Sequence, residues 1–153
     1  MSDVAGEFGT EILVRWSDCD PAGVVFYPVY FDFFEQAIVA FMEERGLSWG
    51  PLLNERGLRF PRVEAHCRYV APATFGDRLR LRIRVGDRSA RSITFAFSVE
   101  QARDSTAVAD GRVVFVCIRG DLPAGERARA VELPEELLTA FAPLLSPAAD
   151  PAR

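Results

Sequence analysis

Residues 78–85, RLRLRIRV, alternate arginine with a leucine, isoleucine or valine without exception. Because successive side chains of a β-strand point to opposite faces, this pattern predicts a strand with one face in water and the other in a core. The segment 91–99 places four apolar side chains on one face: Ile93, Phe95, Phe97 and Val99. The turn-rich connection at 86–90, GDRSA, favours a β-hairpin. The apolar face of such a hairpin requires another element to cover it.

A long helix is the expected cover for this sheet. Between Pro28 and Gly46, apolar residues recur every three or four positions: Tyr30, Phe33, Phe34, Ala37, Ile38, Phe41 and Met42. This spacing predicts a helix over 28–45 with a broad apolar face. Proline is favoured at the first helical position and glycine just beyond the last, so both flanking residues agree with these bounds.

Three more segments carry strand patterns, namely 11–17, 60–70 and 112–119. The last of them follows the turn signal Asp110-Gly111. The four predicted strands from residue 60 onward follow one another with short connections. That order predicts an antiparallel meander.

The predicted fold class is α+β, an antiparallel sheet of about five strands wrapped around a long central helix, with a C-terminal helix. A short helical stretch is expected near 50–56 and the terminal helix over 133–145. We expect one domain over 1–146, followed by a tail at 147–153. Because the sheet leaves open edges and the helix is apolar around more than half its circumference, pairing with a second copy covers both. The sequence therefore predicts at least a homodimer.

Composition excludes several classes of partner. Hydrophobic residues make up 49% and charged residues 26% of the 153 residues, which is typical of a globular domain. The formal net charge is −4 and the pI is near 5.1, so nucleic acid is not expected as a partner. No apolar run approaches the roughly 18 residues that span a bilayer, and the first residues lack signal-peptide features. We expect a cytoplasmic protein without membrane contact.

The available side chains limit the chemistry further. All 18 basic residues are arginine, which removes Schiff-base, P-loop and lysine general-base chemistry. His66 is the only histidine, so a multi-histidine metal site is not expected. The three cysteines, Cys19, Cys67 and Cys117, lack CxxC spacing and are predicted to be reduced structural thiols. Catalysis by this chain must rest on carboxylates or backbone dipoles.

Two aspartates, Asp18 and Asp20, precede the predicted helix in the segment WSDCDPAGVVFYP. They could simply cap turns around Pro21 and Gly23. However, the loop leads into a helix N-terminus, whose unpaired N–H groups and positive dipole end can stabilise an oxyanion. A carboxylate beside that terminus could act as a nucleophile or activate water. This combination favours attack on an acyl carbonyl.

The stretch RWSDCDPAGVVFYPVYFDFFEQA resembles the signature of 4-hydroxybenzoyl-CoA thioesterase-type hotdog enzymes, in which D-x-D-x-x-G-x-V-x-x-x-x-Y leads into the central helix. The resemblance continues through FPRVEAHCRYVAPATFGDRLRLRIRV and the later GERARAVELP, and so covers most of the chain. It implies the hotdog fold, a homodimer or a dimer-of-dimers tetramer, and an active site formed by residues of two chains.

Carried over to this sequence, the resemblance implies that the second aspartate, Asp20, is the catalytic carboxylate. It also implies that the backbone N–H of Tyr27 is the oxyanion donor. Gly23 then allows a close turn and the approach of the thioester. Asp18 and Phe26 are expected to shape the substrate-binding site.

The resemblance also implies contacts with the CoA and acyl parts of a substrate. Arg88, Arg91 and Arg129 match positions that bind the CoA phosphates, a role suited to charge-assisted contacts. Glu35 could supply a polar contact at the acyl end, or could instead be solvated or face a partner subunit. Phe60 occupies a position where some aryl-CoA enzymes have a small polar residue, so recognition of a ring hydroxyl is not implied.

The implied reaction is hydrolysis of an acyl-CoA thioester, either aryl-CoA such as hydroxybenzoyl-CoA or short- to medium-chain acyl-CoA. It requires no metal or cofactor, because CoA is part of the substrate. The sequence leaves open whether Asp20 attacks the carbonyl directly or activates water. Two other functions remain: an acyl-ACP thioesterase of fatty-acid or polyketide synthesis, and an acyl-thioester-binding module without turnover. A hotdog dehydratase is disfavoured because His66 lies within a predicted strand.

Overall fold

The computed structural model describes residues 6–120 and 125–145 and contains the expected five-stranded antiparallel sheet. The strands are β1 Phe8–Leu13, β2 Leu58–Arg59, β3 Arg62–Tyr69, β4 Arg78–Arg88, β5 Ser92–Gln101, β6 Ala107–Val116 and β7 Ile118–Arg119. The main sheet has the order β1-β4-β5-β6-β3, and β2 pairs with β7 beside it.

The helices are α1 Val29–Glu44, α2 Trp49–Asn54 and α3 Glu135–Phe141, the last continued by a single 3-10 turn at Ala142–Leu144. The long helix α1 packs on the apolar face of the sheet, where its Phe34 stacks on Phe97 with ring centroids 4.3 Å apart. At its C-terminal end, Phe41 stacks on Phe141 of α3 at 5.4 Å. These contacts make α1 the centre of the core and confirm the predicted fold class.

The arginines that alternate along β4 lie on the outer face of the sheet, as predicted. Arg80 and Arg82 both contact Glu100 of β5 at 3.1 Å. The apolar residues that alternate with the arginines of β4, namely Leu79, Leu81, Ile83 and Val85, are fully buried. The two faces of β4 therefore separate solvent from core.

The prediction of a four-strand meander is wrong for β3, which pairs with β6 rather than with β4. The backbone of the segment that connects β3 to β4 forms hydrogen bonds with residues near the N-terminal strand and the Asp20 loop instead. Its Ala73 carbonyl accepts the N–H of Val25 at 2.8 Å, and its Asp77 carbonyl accepts the N–H of Val14 at 2.9 Å. Because these bonds carry the chain across to β1, β4 joins the sheet beside β1, and β3 is left at the opposite edge.

The turn signal Asp110-Gly111 is also wrong, since both residues lie inside β6. The chain turns instead just after β5, where Ser105 has a φ of 58°. The glycine has a packing reason: a Cβ at Gly111 would lie 2.6 Å from the Phe34 ring and 2.7 Å from the His66 carbonyl oxygen. Gly111 thus lets α1 and β3 approach β6 closely.

The variant Gly111→Ala is therefore expected to destabilise the protein by about 1–3 kcal/mol, because one of the close atoms belongs to the backbone and cannot move aside. Chemical denaturation measures this loss. Gly9→Ala is the matched control, since a Cβ there would meet only Leu81 O at an ordinary 3.8 Å. Equal stability of the two variants would contradict the packing role of Gly111.

The opening strand is shorter and earlier than the predicted 11–17. It ends at Leu13, and Trp16–Asp18 form a 3-10 turn. The turn forms because the Asp18 carboxylate accepts the Arg15 N–H at 2.7 Å. The predicted tail at 147–153 lies outside the described residues.

The three cysteines are free thiols, as predicted. Of the helices that the structure describes, none is long and apolar enough to cross a membrane.

Candidate active site

Asp20 lies in a tight turn between the 3-10 turn and α1. Its backbone N–H donates to the Val24 carbonyl and its own carbonyl accepts the Gly23 N–H, both at 2.9 Å. One carboxylate oxygen, Oδ1, accepts the N–H of Ala22 at 2.8 Å. The other oxygen has no hydrogen-bond partner within 6–120 and 125–145. One oxygen therefore orients the carboxylate and the other is available for a substrate or a water molecule.

Gly23 gives this turn its shape. Its φ of +82° lies in the left-handed region, which residues other than glycine rarely adopt. A Cβ at this position would meet no atom within 4 Å, so the requirement is one of backbone conformation and not of space. The turn that orients Asp20 thus depends on glycine.

Asp18 is buried, with only 5% of its surface exposed, and it holds the two ends of the loop together. Its carboxylate binds the Arg15 N–H, while its carbonyl accepts the Phe26 N–H at 2.8 Å. It is not among the residues that line the cavity beside Asp20. The structure therefore places Asp18 in the support of the loop.

The N-terminus of α1 follows directly. Pro28 has no N–H to donate, and the N–H of Val29 is bonded to the Phe26 carbonyl at 2.9 Å. In the part of the chain that the structure describes, the N–H of Tyr27 donates to no acceptor. It is thus an unpaired donor at the positive end of the long helix, as an oxyanion site requires.

A cavity of about 340 Å³ brings these groups together. Its lining residues are Asp20, Val24, Val25, Tyr27, Tyr30, Tyr69, Val70, Ala71 and Pro72. The wall is thus apolar and aromatic, with the Asp20 carboxylate as its charged group. Asp20 and Tyr27 were predicted from the sequence to share one site, whereas Tyr69 was not. Tyr69 lines the cavity because the end of β3 lies beside the start of α1.

Two of the tyrosines that line the cavity, Tyr30 and Tyr69, have raised pKa values. Burial raises the pKa of Tyr30 to about 12, with Cys67 and Tyr69 adding to the effect. Partial removal from water, together with Cys67, raises the pKa of Tyr69 to about 12. Both hydroxyls therefore keep their protons near neutral pH, and the Tyr69 hydroxyl donates to the Tyr27 carbonyl.

Asp77 lies outside the cavity and supports the loop that contains Asp20. It was not predicted from the sequence as a site residue. Its carboxylate accepts the Thr74 N–H and the Gln101 side chain, both at 2.9 Å, and pairs with Arg103 at 3.2 Å. Thr74 in turn bridges to Val24 in the Asp20 turn. Burial alone would raise the pKa of Asp77, but these donors outweigh it and lower the pKa.

Asp77→Asn is expected to destabilise the protein by about 1–3 kcal/mol at pH 7, because an amide cannot accept all these donors. The folded-state pKa of Asp77 is below its unfolded value near 3.9, so its ionised form stabilises the fold above about pH 4. That contribution disappears as pH falls through the folded-state pKa. Urea denaturation from pH 7 to 3 should therefore show the variant's deficit shrinking. The exposed Asp87→Asn is the control, and a pH-independent deficit would contradict this role.

Two residues expected at the acyl end have partners inside the chain. Glu35 forms a bidentate pair with Arg62, with Nε–Oε1 at 2.7 Å and Nη2–Oε2 at 2.5 Å. Phe60 is buried against Trp49 at 5.0 Å and Phe115 at 5.7 Å. Neither residue lines the cavity that contains Asp20.

The three arginines expected to bind CoA lie far from Asp20 within one chain. The Asp20 turn lies beside the start of β4, whereas Arg88 ends β4, about 30 Å away at 3.3 Å per residue. The Arg91 carbonyl accepts the Cys117 N–H at 3.0 Å, which places Arg91 at the same far end. Arg88, Arg91 and Arg129 are all exposed. The structure therefore does not bring them to Asp20 in a single copy.

Strand β3 forms one edge of the sheet. All its residues are exposed except the half-buried Cys67, and Val63 and Tyr69 expose 59% and 45% of their surfaces. Long exposed edges of this kind pair readily with another strand.

Comparison with known proteins agrees with this geometry. The family model described as "Thioesterase-like superfamily" matches residues 14–141. The 1,4-dihydroxy-2-naphthoyl-CoA hydrolase of Synechocystis is 30% identical over 142 residues, covering 93% of this chain and 99% of the relative.

Solved structures give the same result. The crystal structure of a 1,4-dihydroxy-2-naphthoyl-CoA thioesterase from Synechocystis superposes with a TM-score of 0.81 at 27% identity, covering 89% of this chain and 96% of that one. A 4-hydroxybenzoyl-CoA thioesterase superposes with a TM-score of 0.79 at 26% identity, covering 90% of this chain and all of that one. In the latter structure one aspartate is replaced by asparagine and 4-hydroxybenzoyl-CoA is bound.

Proposed function

Because this chain belongs to the thioesterase-like superfamily, we propose that it hydrolyses an acyl-CoA thioester to a free acid and CoA. The observation that carries the proposal is the cavity that joins the Asp20 carboxylate to the start of α1. Thioester hydrolysis needs a group that attacks or activates water and a donor for the oxyanion. This cavity contains one of each.

In the proposed mechanism the thioester carbonyl oxygen lies against the N–H of Tyr27. The free oxygen of Asp20 either attacks the carbonyl carbon, giving an anhydride that water cleaves, or removes a proton from an attacking water. In both routes the C–S bond breaks and the sulfur leaves as the CoA thiol, while water supplies the new oxygen and the protons. The structure of the solved relative with an aspartate replaced and its CoA thioester bound supports an aspartate in this role.

The acyl group is proposed to be aromatic. The cavity wall offers Val24, Val25 and Val70 together with the rings of Tyr27 and Tyr69, a surface suited to an aryl group. The similarity to a 1,4-dihydroxy-2-naphthoyl-CoA hydrolase and to a 4-hydroxybenzoyl-CoA thioesterase supports the same class. CoA enters as part of the substrate, and the proposed chemistry uses no cofactor.

We further propose that the active form is a dimer joined through β3. Two β3 edges related by a two-fold axis run antiparallel, so the Arg62 end of one copy lies beside the Tyr69 end of the other. Because Arg88 and Arg91 lie at the Arg62 end of the sheet, this pairing brings them toward Asp20 of the partner subunit. Sedimentation equilibrium should give an even multiple of the 17.0 kDa chain mass, and a monomer would contradict the proposal.

Thiol release from a panel of substrates tests the proposed function. We expect turnover of hydroxybenzoyl-CoA and benzoyl-CoA that exceeds the turnover of hexanoyl-CoA. The same acyl groups carried by ACP provide the comparison of carriers. A preference for ACP would support the alternative carrier, and no turnover of any thioester would overturn hydrolysis in favour of a binding module.

A further inference from the structure

Tyr69, at the end of β3, contacts the residue that carries the proposed oxyanion donor, although it belongs neither to the Asp20 loop nor to α1. Its hydroxyl donates a hydrogen bond of 2.9 Å to the carbonyl oxygen of Tyr27. Its position is fixed independently, because Tyr69 pairs with Ala109 in the β3–β6 ladder and the next residue, Val70, bonds to the Val108 carbonyl at 2.8 Å. The sheet therefore fixes the backbone of Tyr69, from which its side chain reaches the start of α1.

The Tyr27 carbonyl has little other support. Helical bonding would ordinarily give it the N–H of Phe31, but that N–H donates to the Pro28 carbonyl at 3.0 Å. In the described part of the chain, no backbone N–H bonds to the Tyr27 carbonyl. The bond from Tyr69 therefore holds the Tyr27–Pro28 peptide, and through the Cα of Tyr27 it restrains the preceding peptide, which carries the unpaired N–H.

Ring contacts reinforce the arrangement. The ring of Tyr69 lies edge-on to Tyr27 at 6.4 Å and to Tyr30 at 5.3 Å. Since its pKa is raised to about 12, the Tyr69 hydroxyl stays protonated, and can donate a hydrogen bond, over the pH range in which a hydrolase works. The ring contacts do not depend on the hydroxyl, so the two contributions can be separated by substitution.

We propose that Tyr69 is a positioning residue, whose hydroxyl orients the Tyr27 backbone N–H toward the thioester carbonyl oxygen in the transition state. This inference rests on the proposed hydrolysis. Such alignment matters because catalytic donors must already be in place when charge develops, and a displacement near 1 Å can lower a rate by about 100-fold. Tyr69 acts through Tyr27 and need not touch the reacting atoms itself.

The test is Tyr69→Phe, which removes the hydroxyl and keeps the ring. We expect kcat for the best aryl-CoA substrate to fall between about 10- and 100-fold, with KM changed less than about twofold. The Kd of the corresponding CoA thioether, which has a methylene in place of the carbonyl, should stay within the same twofold range, because that analogue makes no demand on the oxyanion donor. The thermal midpoint and the shape of the pH–rate profile should be unchanged.

Thr139→Val is the matched control, since it removes a hydroxyl from an exposed residue of α3 at the other end of the molecule. A wild-type kcat in Tyr69→Phe would overturn the positioning role. Parallel loss of kcat, thioether affinity and thermal midpoint would overturn it in favour of general structural support. Wild-type protein that hydrolyses no thioester would instead refute the proposed function, so the two failures are distinguishable.

Discussion

Asp20→Asn is expected to lower kcat for acyl-CoA hydrolysis by about three orders of magnitude, within the range for removal of a general base or nucleophile. Asparagine is nearly isosteric, and its side-chain oxygen can still accept the Ala22 N–H that orients this residue. The loop should therefore keep its shape while the carboxylate is lost. Steady-state thiol release, with circular dichroism as the check on folding, measures the effect.

The control for this substitution is Asp32→Asn. Asp32 is an exposed carboxylate in the first turn of α1, so it shares the helix N-terminus without lining the cavity. We expect its kcat to stay within about twofold of wild type, because an exposed charge near a helix end has only a weak effect. A folded Asp20→Asn variant with wild-type turnover would contradict the proposed chemistry. Equal losses in both variants would point to the helix field instead of a specific carboxylate.

Phe34→Ala is expected to have the largest effect on stability, a loss of about 3–5 kcal/mol. Phe34 is completely buried, and its ring lies between α1 and the sheet, stacked on Phe97. Truncation removes that contact and leaves a cavity over Gly111, which the backbone cannot fill. For a chain of this length the loss corresponds to a fall in Tm of about 6–20 °C.

Phe75→Ala provides the matched control, since Phe75 is 60% exposed and its ring packs edge-on against Trp16 at 5.8 Å. We expect a loss of at most about 1 kcal/mol there. Thermal and urea denaturation compare the two variants. If Phe34→Ala does not fold, the milder Phe34→Leu should still lower Tm. Losses of the same size at positions 34 and 75 would contradict the central role of Phe34.

The local elements were predictable because their patterns are short-range. The alternation of arginine and aliphatic residues in β4, and the spacing of apolar residues in α1, each report a single buried face. The predicted helix over 28–45 differs from the observed α1 by one residue at each end. The Asp20 turn was predictable for a similar reason, since the nearby Pro21 and Gly23 favour a turn at this position.

Strand pairing was not predictable in this way. Four strands in sequence order suggested a meander, but hydrogen bonds from Val14 and Val25 to the 70–77 connection place β4 beside β1. Gly111 was interpreted as a turn, although its function is to admit Phe34 and the β3 backbone. In both cases the deciding contacts join residues more than 40 positions apart, and local periodicity carries no information about them.

The class of the fold, the central helix and the carboxylate beside its N-terminus were predictable from the amino-acid sequence, because each depends on neighbouring residues and their intrinsic geometry. The groups that share the cavity with Asp20 are known from the three-dimensional packing alone. Tyr69 reaches the Tyr27 carbonyl from a strand 42 residues away, and Asp77 supports the loop from another segment. These positions depend on how the strands pack and pair, which minimises exposed apolar surface and unpaired backbone groups over the whole chain.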